Sequence, residues 1–382
     1  MTQVKPTFET FARIKVVGIG GGGNKAIQRM MASKIHGVEF VAVNLDAQDL
    51  NIASAPNKIL IGKNITRGLG AGMNPEIGKQ AAMENKDEIS DALKGADMVF
   101  ITAGLGGGTG TGASPVIAEI ARDVGALTIG VVTKPFSFEG AARSRIADAG
   151  WEVLRNKVDA LITISNDRLL SIIDRKTPLL EAFQKVDDVL HQGVKGISDL
   201  ITVPGIINVD FADVKTVLTN SGSALMGIGV ASGEDRAADA AKDAISSPLL
   251  DVSIDGANGV LFNVSGGSDL AMAEINEAAK IITASIDPDA KVIFGAVEDN
   301  SLKKGEIKIT VIAAGFKTGT AHVEDLLTRS PAESIYSDMA DGVPIIDRKE
   351  EREPIKEVVD SSVANDDEDD FDIPAFIRRK MK

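Results

Sequence analysis

Met98-Val99-Phe100-Ile101-Thr102-Ala103 runs directly into Gly104-Leu105-Gly106-Gly107-Gly108-Thr109-Gly110-Thr111-Gly112, an apolar segment followed by a loop dense in glycine. The apolar segment reads as a buried strand. A glycine-rich loop leaving such a strand can fold its backbone N–H groups around phosphate. Ala113 to Ile120 then has helical spacing of apolar residues, so the loop opens into a helix whose positive N-terminal end faces the same anion. A plain surface connection is the lesser reading, because this much glycine after a core strand costs backbone entropy.

Outward from that stretch, Ile14–Ile19, Gly37–Val43, Leu127–Val132 and Ala160–Ile164 are further strand candidates, with helical patterns between them. This alternation predicts a parallel sheet with helices on both faces, and ligands in such sheets bind at the carboxyl ends of the strands. Thr177 and Pro178 predict the start of a long helix, with Thr177 as the capping hydroxyl and Pro178 in the first helical position. Its stripe is Leu179, Leu180, Phe183, Val186, Leu190, Val194, Ile197 and Leu200. About 24 residues at 1.5 Å each carry it roughly 36 Å. Strands at Val260–Val264, Lys291–Gly295 and Ile307–Val311, with a helix at Leu270–Ile282, predict a smaller α/β or α+β domain ending near Gly315-Phe316.

Composition narrows the function classes. The chain has 382 residues, 44% of them apolar, enough for two domains with a substantial core. It contains no cysteine, so disulfides, thiol nucleophiles and zinc-thiolate sites are excluded, and its three histidines lack ligand spacing. No apolar run is long enough to span a bilayer and no signal peptide precedes the first strand, so a cytoplasmic protein with no direct membrane insertion is expected. The net charge of −14 argues against nucleic-acid binding. From Asp347 to Asp372 there are twelve acids and four bases, a net of −8, which marks a solvated linker.

A second glycine cluster, Gly18-Ile19-Gly20-Gly21-Gly22-Gly23, follows the first strand and satisfies G-x-G-x-x-G. Alone it fits a dinucleotide-binding oxidoreductase, with Asp46 as the ribose acid. That alternative leaves the loop at Gly106–Gly112 unexplained, whereas a nucleoside triphosphate offers enough anionic oxygens for both loops. Asn156-Lys157-Val158-Asp159 imitates a guanine-reading N-K-x-D, but it precedes a strand, and no G-x-x-x-x-G-K-[ST] loop accompanies it.

Gly20–Asn24, Asn44-Leu45-Asp46-Ala47-Gln48, Gly68–Pro75, the loop at Gly106–Gly112, Thr133-Lys134-Pro135-Phe136 and Asn208–Asp213 together resemble the FtsZ family of tubulin relatives, over essentially the whole chain. The resemblance implies a tubulin/FtsZ-like α/β fold. A parallel-sheet GTP-binding domain (1–176) is joined by a central helix (177–202) to a smaller α+β domain (203–317) carrying a synergy loop (205–213). A disordered acidic linker (318–370) and a C-terminal peptide (371–382) complete the organisation.

It implies GTP or GDP as ligand, with Mg²⁺ sharing the phosphate charge; no residue is assigned as a metal ligand. Phosphate contacts fall to Gly21, Gly22, Gly23 and Asn24 and to Gly108, Thr109 and Gly110; Lys25 adds positive charge near the phosphates, and Gly104, Gly106 and Gly107 belong to the same cofactor-binding loop. Ala71, Gly72 and Asn74 close over the terminal phosphate, and Asn44, Asp46, Thr133 and Pro135 complete the pocket. Glu139 matches the ribose contact and Arg143 a phosphate contact, although the two also suit an i,i+4 helix pair. Phe183 and Asp187 share a helix face. The ring packs on the base, the carboxylate accepts from the N1–H and N2–H₂ edge that adenine lacks, and Asn166 adds a base contact. Spacing alone would assign these two to core packing and a solvated position.

Asn208, Asp210 and Asp213 are implied to act in the next subunit of a head-to-tail homopolymer, where the acids position the attacking water. By spacing alone the two acids offset a helix dipole. The resemblance further implies a GTPase that builds the mid-cell division ring on the inner face of the membrane. Phe371–Arg379 would dock membrane-tethering and regulatory partners. Lys25 and Leu45 depart from the asparagine and threonine common in the family.

Overall fold

Residues 12–316 of the computed structural model are described, except 34, 36, 171–176, 248–252 and 300–301. The acidic linker and the C-terminal peptide lie outside the described residues.

The first half alternates strand and helix: β1 (Ile14–Ile19), α1 (Gly20–Ala32), β2 (Val38–Asn44), α2 (Ala47–Ile52), β3 (Asn57–Leu60), α3 (Lys63–Thr66), α4 (Pro75–Glu84), α5 (Lys86–Leu93), β4 (Met98–Gly104), α6 (Gly108–Asp123), β5 (Leu127–Lys134), α7 (Ala141–Arg155) and β6 (Ala160–Ser165). Then come α8 (Asn166–Leu170), α9 (Leu179–Thr202), α10 (Phe211–Leu218), β7 (Gly222–Ser232), α11 (Arg236–Ile245), β8 (Ala257–Gly266), α12 (Met272–Thr283), β9 (Lys291–Glu298) and β10 (Glu306–Phe316).

Among the described residues, the ten strands form one sheet in the order β3-β2-β1-β4-β5-β6-β7-β10-β8-β9. From β3 to β6 every pairing is parallel. Alternating side chains explain why both faces need cover: Val16, Phe100 and Ile129 join one core with Ile27, Met30, Val186, Leu190, Val194 and Ile197 of α1 and α9. Val17, Ile101 and Val132 join the other with Ile117 and Ile120 of α6 and Leu154 of α7. The second half is mostly antiparallel, β10 lying between β7 and β8 and β9 running parallel to β8. Parallel pairing of Ala160–Ile162 with Gly222–Ala224 joins the halves.

The expected strands are present, most of them longer than predicted. α9 begins one residue later than expected: Pro178 is the capping residue, with extended backbone (ψ 147°) and no side-chain cap bond, so Thr177 does not cap the helix. β3 and β7 have no counterpart in the sequence reading. β7 is rich in glycine, alanine and serine, which blurs the alternation that marks a half-buried strand.

Candidate functional site

Two helices start at the carboxyl ends of adjacent central strands, α1 after β1 and α6 after β4, and neither N-terminus has a side-chain cap. Their first-turn N–H groups lack intrahelical partners, and both dipoles present positive ends to one spot. The loops touch. Gly20 has a left-handed backbone (φ +68°), and a Cβ there would stand 3.1 Å from the Gly110 nitrogen. A Cβ on Gly108 would stand 2.6 Å from the Ala71 Cβ and 2.9 Å from the Asn74 nitrogen and oxygen. Gly22 faces Gly104, and Gly106 backs onto Arg143 and Pro135. The 68–74 segment, both glycine loops and the end of β5 therefore meet along one edge of the sheet.

Not every N–H in that edge is open to a ligand. Gly106 N–H donates to Thr111 Oγ1 at 2.9 Å, and Leu105 N–H to the Thr133 carbonyl at 2.9 Å. Gly107, Gly108, Thr109 and Gly110 open α6 beyond that anchor. Asn24 is buried, and both its amide oxygen and nitrogen lack a protein partner. A buried amide without partners costs on the order of 1–3 kcal/mol, so this side chain suits a polar ligand. Buried Asn166, after β6, likewise has an unpartnered Oδ1.

Several other candidates have local structural work. Asp46 caps α2 through the Gln48 and Asp49 N–H groups, and Asn44 donates to Asp49 at 2.7 Å. The Asn74 side chain accepts the Glu76 N–H at the head of α4. Arg143 and Glu139 form the i,i+4 ion pair that spacing suggested, and Glu139 also accepts the Phe136 N–H at 2.9 Å. Leu45 is fully buried in the core where the family often has a hydroxyl. Thr133 is buried beside Gly104.

α9 begins at the same edge. Phe183, partly exposed, meets Phe136 edge-on with ring centroids 5.5 Å apart. One turn on, Asp187 pairs with Arg29 of α1, Nε to Oδ2 at 2.8 Å. Burial pushes the Asp187 carboxyl up to about 6 from its ordinary 3.8, against the opposing pull of Arg29 and, more weakly, Lys25.

Asn208, Asp210 and Asp213 stand elsewhere. With Leu200, Ile201 and Val203, Asn208 and Asp210 line a cleft beside Ala12, which precedes β1, and the end of α9 also meets Gly37, which precedes β2. They lie at the strands' starting edge, opposite the glycine loops. At about 1.5 Å per residue, α9 alone covers about 22 Å from Asp187 to Thr202. Asn208 Oδ1 accepts the Gly205 N–H at 2.7 Å and Asp210 caps α10 through the Ala212 N–H, while Asp213 is exposed in the first turn. The 156–159 imitation of a guanine motif is structural: Asp159 accepts the Thr128 N–H at the start of β5.

Arg29, Asp49 and Thr111 escaped the sequence reading. Only Thr111, inside the glycine loop, left a signal there. Among the described residues no three carboxylate or imidazole side chains gather to hold a metal, and no helix is long and apolar enough to cross a membrane.

Residues 13–174 match the family model described as Tubulin/FtsZ family, GTPase domain, and 222–317 match FtsZ family, C-terminal domain. An empty FtsZ dimer from M. jannaschii is 49% identical with a TM-score of 0.77, covering 80% of this chain and 89% of its own. A tryptophan-to-tyrosine mutant of M. jannaschii FtsZ is 48% identical, also at 0.77, covering 80% and 92%. CetZ2 from Haloferax volcanii, a GTPγS-bound protofilament, shares the fold at TM-score 0.68 with 22% identity, covering 83% of this chain and 97% of its own. With both family domains matched in order and half the residues identical to an FtsZ over most of the chain, this protein is a guanine-nucleotide-binding GTPase of the FtsZ family.

Proposed function

We propose that the protein is a self-assembling cell-division GTPase that hydrolyses GTP only where two subunits meet head to tail. The observation that carries the reading is the separation of the two candidate half-sites. The glycine loops and Asn24 occupy one edge of the sheet, and Asp210 and Asp213 the other. Carboxylates about 20 Å or more from the phosphates act only on a neighbour's nucleotide. Related chains have been seen as an FtsZ dimer and as a CetZ2 protofilament.

On this reading, Gly20–Asn24 and Gly107–Gly110 direct N–H groups and helix dipoles at the phosphates, and Ala71, Gly72 and Asn74 close over the terminal one. Glu139 exchanges part of its bond to Arg143 for the ribose hydroxyls, freeing the guanidinium for phosphate. Asn166 and Asp187 read the base, and Phe183 packs on it. With the nucleotide bound, Mg²⁺ would supply charge neutralisation at its phosphates. The incoming Asp210 and Asp213 orient water toward the γ-phosphate, and positioning plus charge stabilisation suffice for phosphoryl transfer. Repeated head-to-tail contact that does not close into a ring gives an open filament. The filament forms the division ring in the cytoplasm at mid-cell, tethered through Phe371–Arg379, where many weak contacts add by avidity.

The test is Asp213→Ala together with dilution. The variant retains GTP binding and loses turnover, and wild-type turnover per subunit falls as the protein is diluted. Full activity from a dilute monomer overturns the proposal.

A further inference from the structure

Arg29 lies in the last turn of α1, nine residues and about 13 Å along the helix from Gly20 and the glycine loops. A cation there ordinarily complements the helix dipole. This one is spent differently, because its Nε stands 2.8 Å from Oδ2 of Asp187 on α9, a carboxylate only 17% exposed. Lys25, one turn before Arg29 on the same face of α1, adds a weaker attraction, and Asp188, the next residue of α9, adds repulsion. One turn before Asp187 stands Phe183, edge-on to Phe136. A half-buried acid next to an aromatic pair is an unfavourable place for charge without a cation beside it.

We propose that Arg29 is a positioning residue of the base pocket, which orients the Asp187 carboxylate and keeps it charged for the N–H edge of guanine without touching the nucleotide itself. The inference rests on the proposed role of Asp187 in reading the base. An ionised carboxylate accepts two hydrogen bonds at once, whereas a protonated one presents an O–H that opposes the N–H groups of guanine. One oxygen held by Arg29 fixes the carboxylate plane, and the lone pairs remaining on the group serve the base. Burial holds the Asp187 carboxyl up at about 6 even with Arg29 present, so losing the pair drives it further toward neutrality.

The test is GTP affinity by calorimetry on the full chain between pH 5 and 8.5, for wild type, Arg29→Gln, Arg29→Lys and Asp187→Ala. For Arg29→Gln the pH midpoint below which affinity falls moves upward by at least about one pH unit, the usual effect of removing an adjacent opposite charge. Arg29→Lys returns the midpoint most of the way, since charge is restored without the planar fork. Preference for GTP over ITP, which lacks the N2 amine, narrows in Arg29→Gln at pH 7. If Asp187→Ala binds GTP like wild type, the base-reading role itself fails. If Asp187→Ala is weakened but the Arg29→Gln midpoint stays at the wild-type value, with affinity merely scaled down at every pH, Arg29 acts only through packing and this proposal is overturned. Unchanged far-UV circular dichroism of each variant separates either result from unfolding.

Discussion

The two edges of the sheet are built on opposite principles. At the glycine-loop edge, two uncapped helix N-termini converge and Asn24 is buried with both polar atoms unpartnered. At the other edge, the 205–213 turn is complete in itself: Asn208 closes the turn, Asp210 caps α10 and the Ile207–Ala296 bridge ties the segment to β9. The first edge calls for a ligand to satisfy it. The second is a finished structure that carries exposed acids. On the proposed reading, binding belongs to the first edge, and the chemistry requires it to meet the second.

The largest effect expected from breaking this contrast is on turnover. Asp213→Ala lowers steady-state phosphate release by about 100-fold or more, the scale of losing one transition-state stabiliser, with GTP affinity unchanged. A parallel loss of affinity would place Asp213 in the binding edge. Next in size is Asp187→Ala, which weakens GTP by roughly 10- to 100-fold, as expected for a hydrogen bond to a charged group. Equilibrium binding of GTP against ATP checks it, since the preference for guanine narrows as well.

The pH dependence sharpens the same point. Because the Asp187 carboxyl sits at about 6, above its ordinary 3.8, the binding-competent carboxylate dominates above pH 6 and is lost as pH falls through that value. GTP affinity at pH 5 is thus about tenfold below that at pH 7. The contribution of this one group to apo stability runs the other way: the fold binds the proton more tightly than the unfolded chain, so stability rises as pH falls from 6 toward 4. Thermal melts with and without GTP across that window separate the two trends. The smallest effect is expected from deleting Phe371–Lys382. GTPase activity stays within experimental error while recruitment to tethering partners in a co-sedimentation assay is abolished.

Legibility in the sequence followed local pattern. β1, β4 and β5 are near-continuous apolar runs, as strands buried on both faces must be, and the glycine loops after β1 and β4 stand out by composition. β7 was hidden because small residues and glycine replace the alternation, and β3 because four residues, two of them polar, carry too little signal. Within the candidate site, i,i+4 spacing disclosed the Glu139–Arg143 pair, because both partners lie close along one stretch of chain. Spacing could not disclose Arg29 with Asp187, which meet only once α1 and α9 share a face of the sheet. The capping roles of Asp46 and Asn74 were not read from the sequence, whereas for Asp210 spacing alone pointed to the helix start, since a carboxylate or amide there serves the backbone.

The central claim, that one catalytic centre is assembled from two subunits, is tested most directly by mixing two inactive variants. Asp213→Ala keeps the binding edge and lacks the acid. Gly107→Asp keeps the acid and blocks the binding edge: a Cβ at Gly107 meets nothing within 4 Å, so the side chain is accommodated, and its carboxylate caps α6 where phosphate belongs. Each alone releases phosphate at about one-hundredth of the wild-type rate or less. Mixed in equal amounts they recover turnover at up to roughly a quarter of interfaces, those where the binding edge of Asp213→Ala meets the acid turn of Gly107→Asp. No recovery in co-sedimenting mixtures, or full turnover by Asp213→Ala alone, contradicts the account.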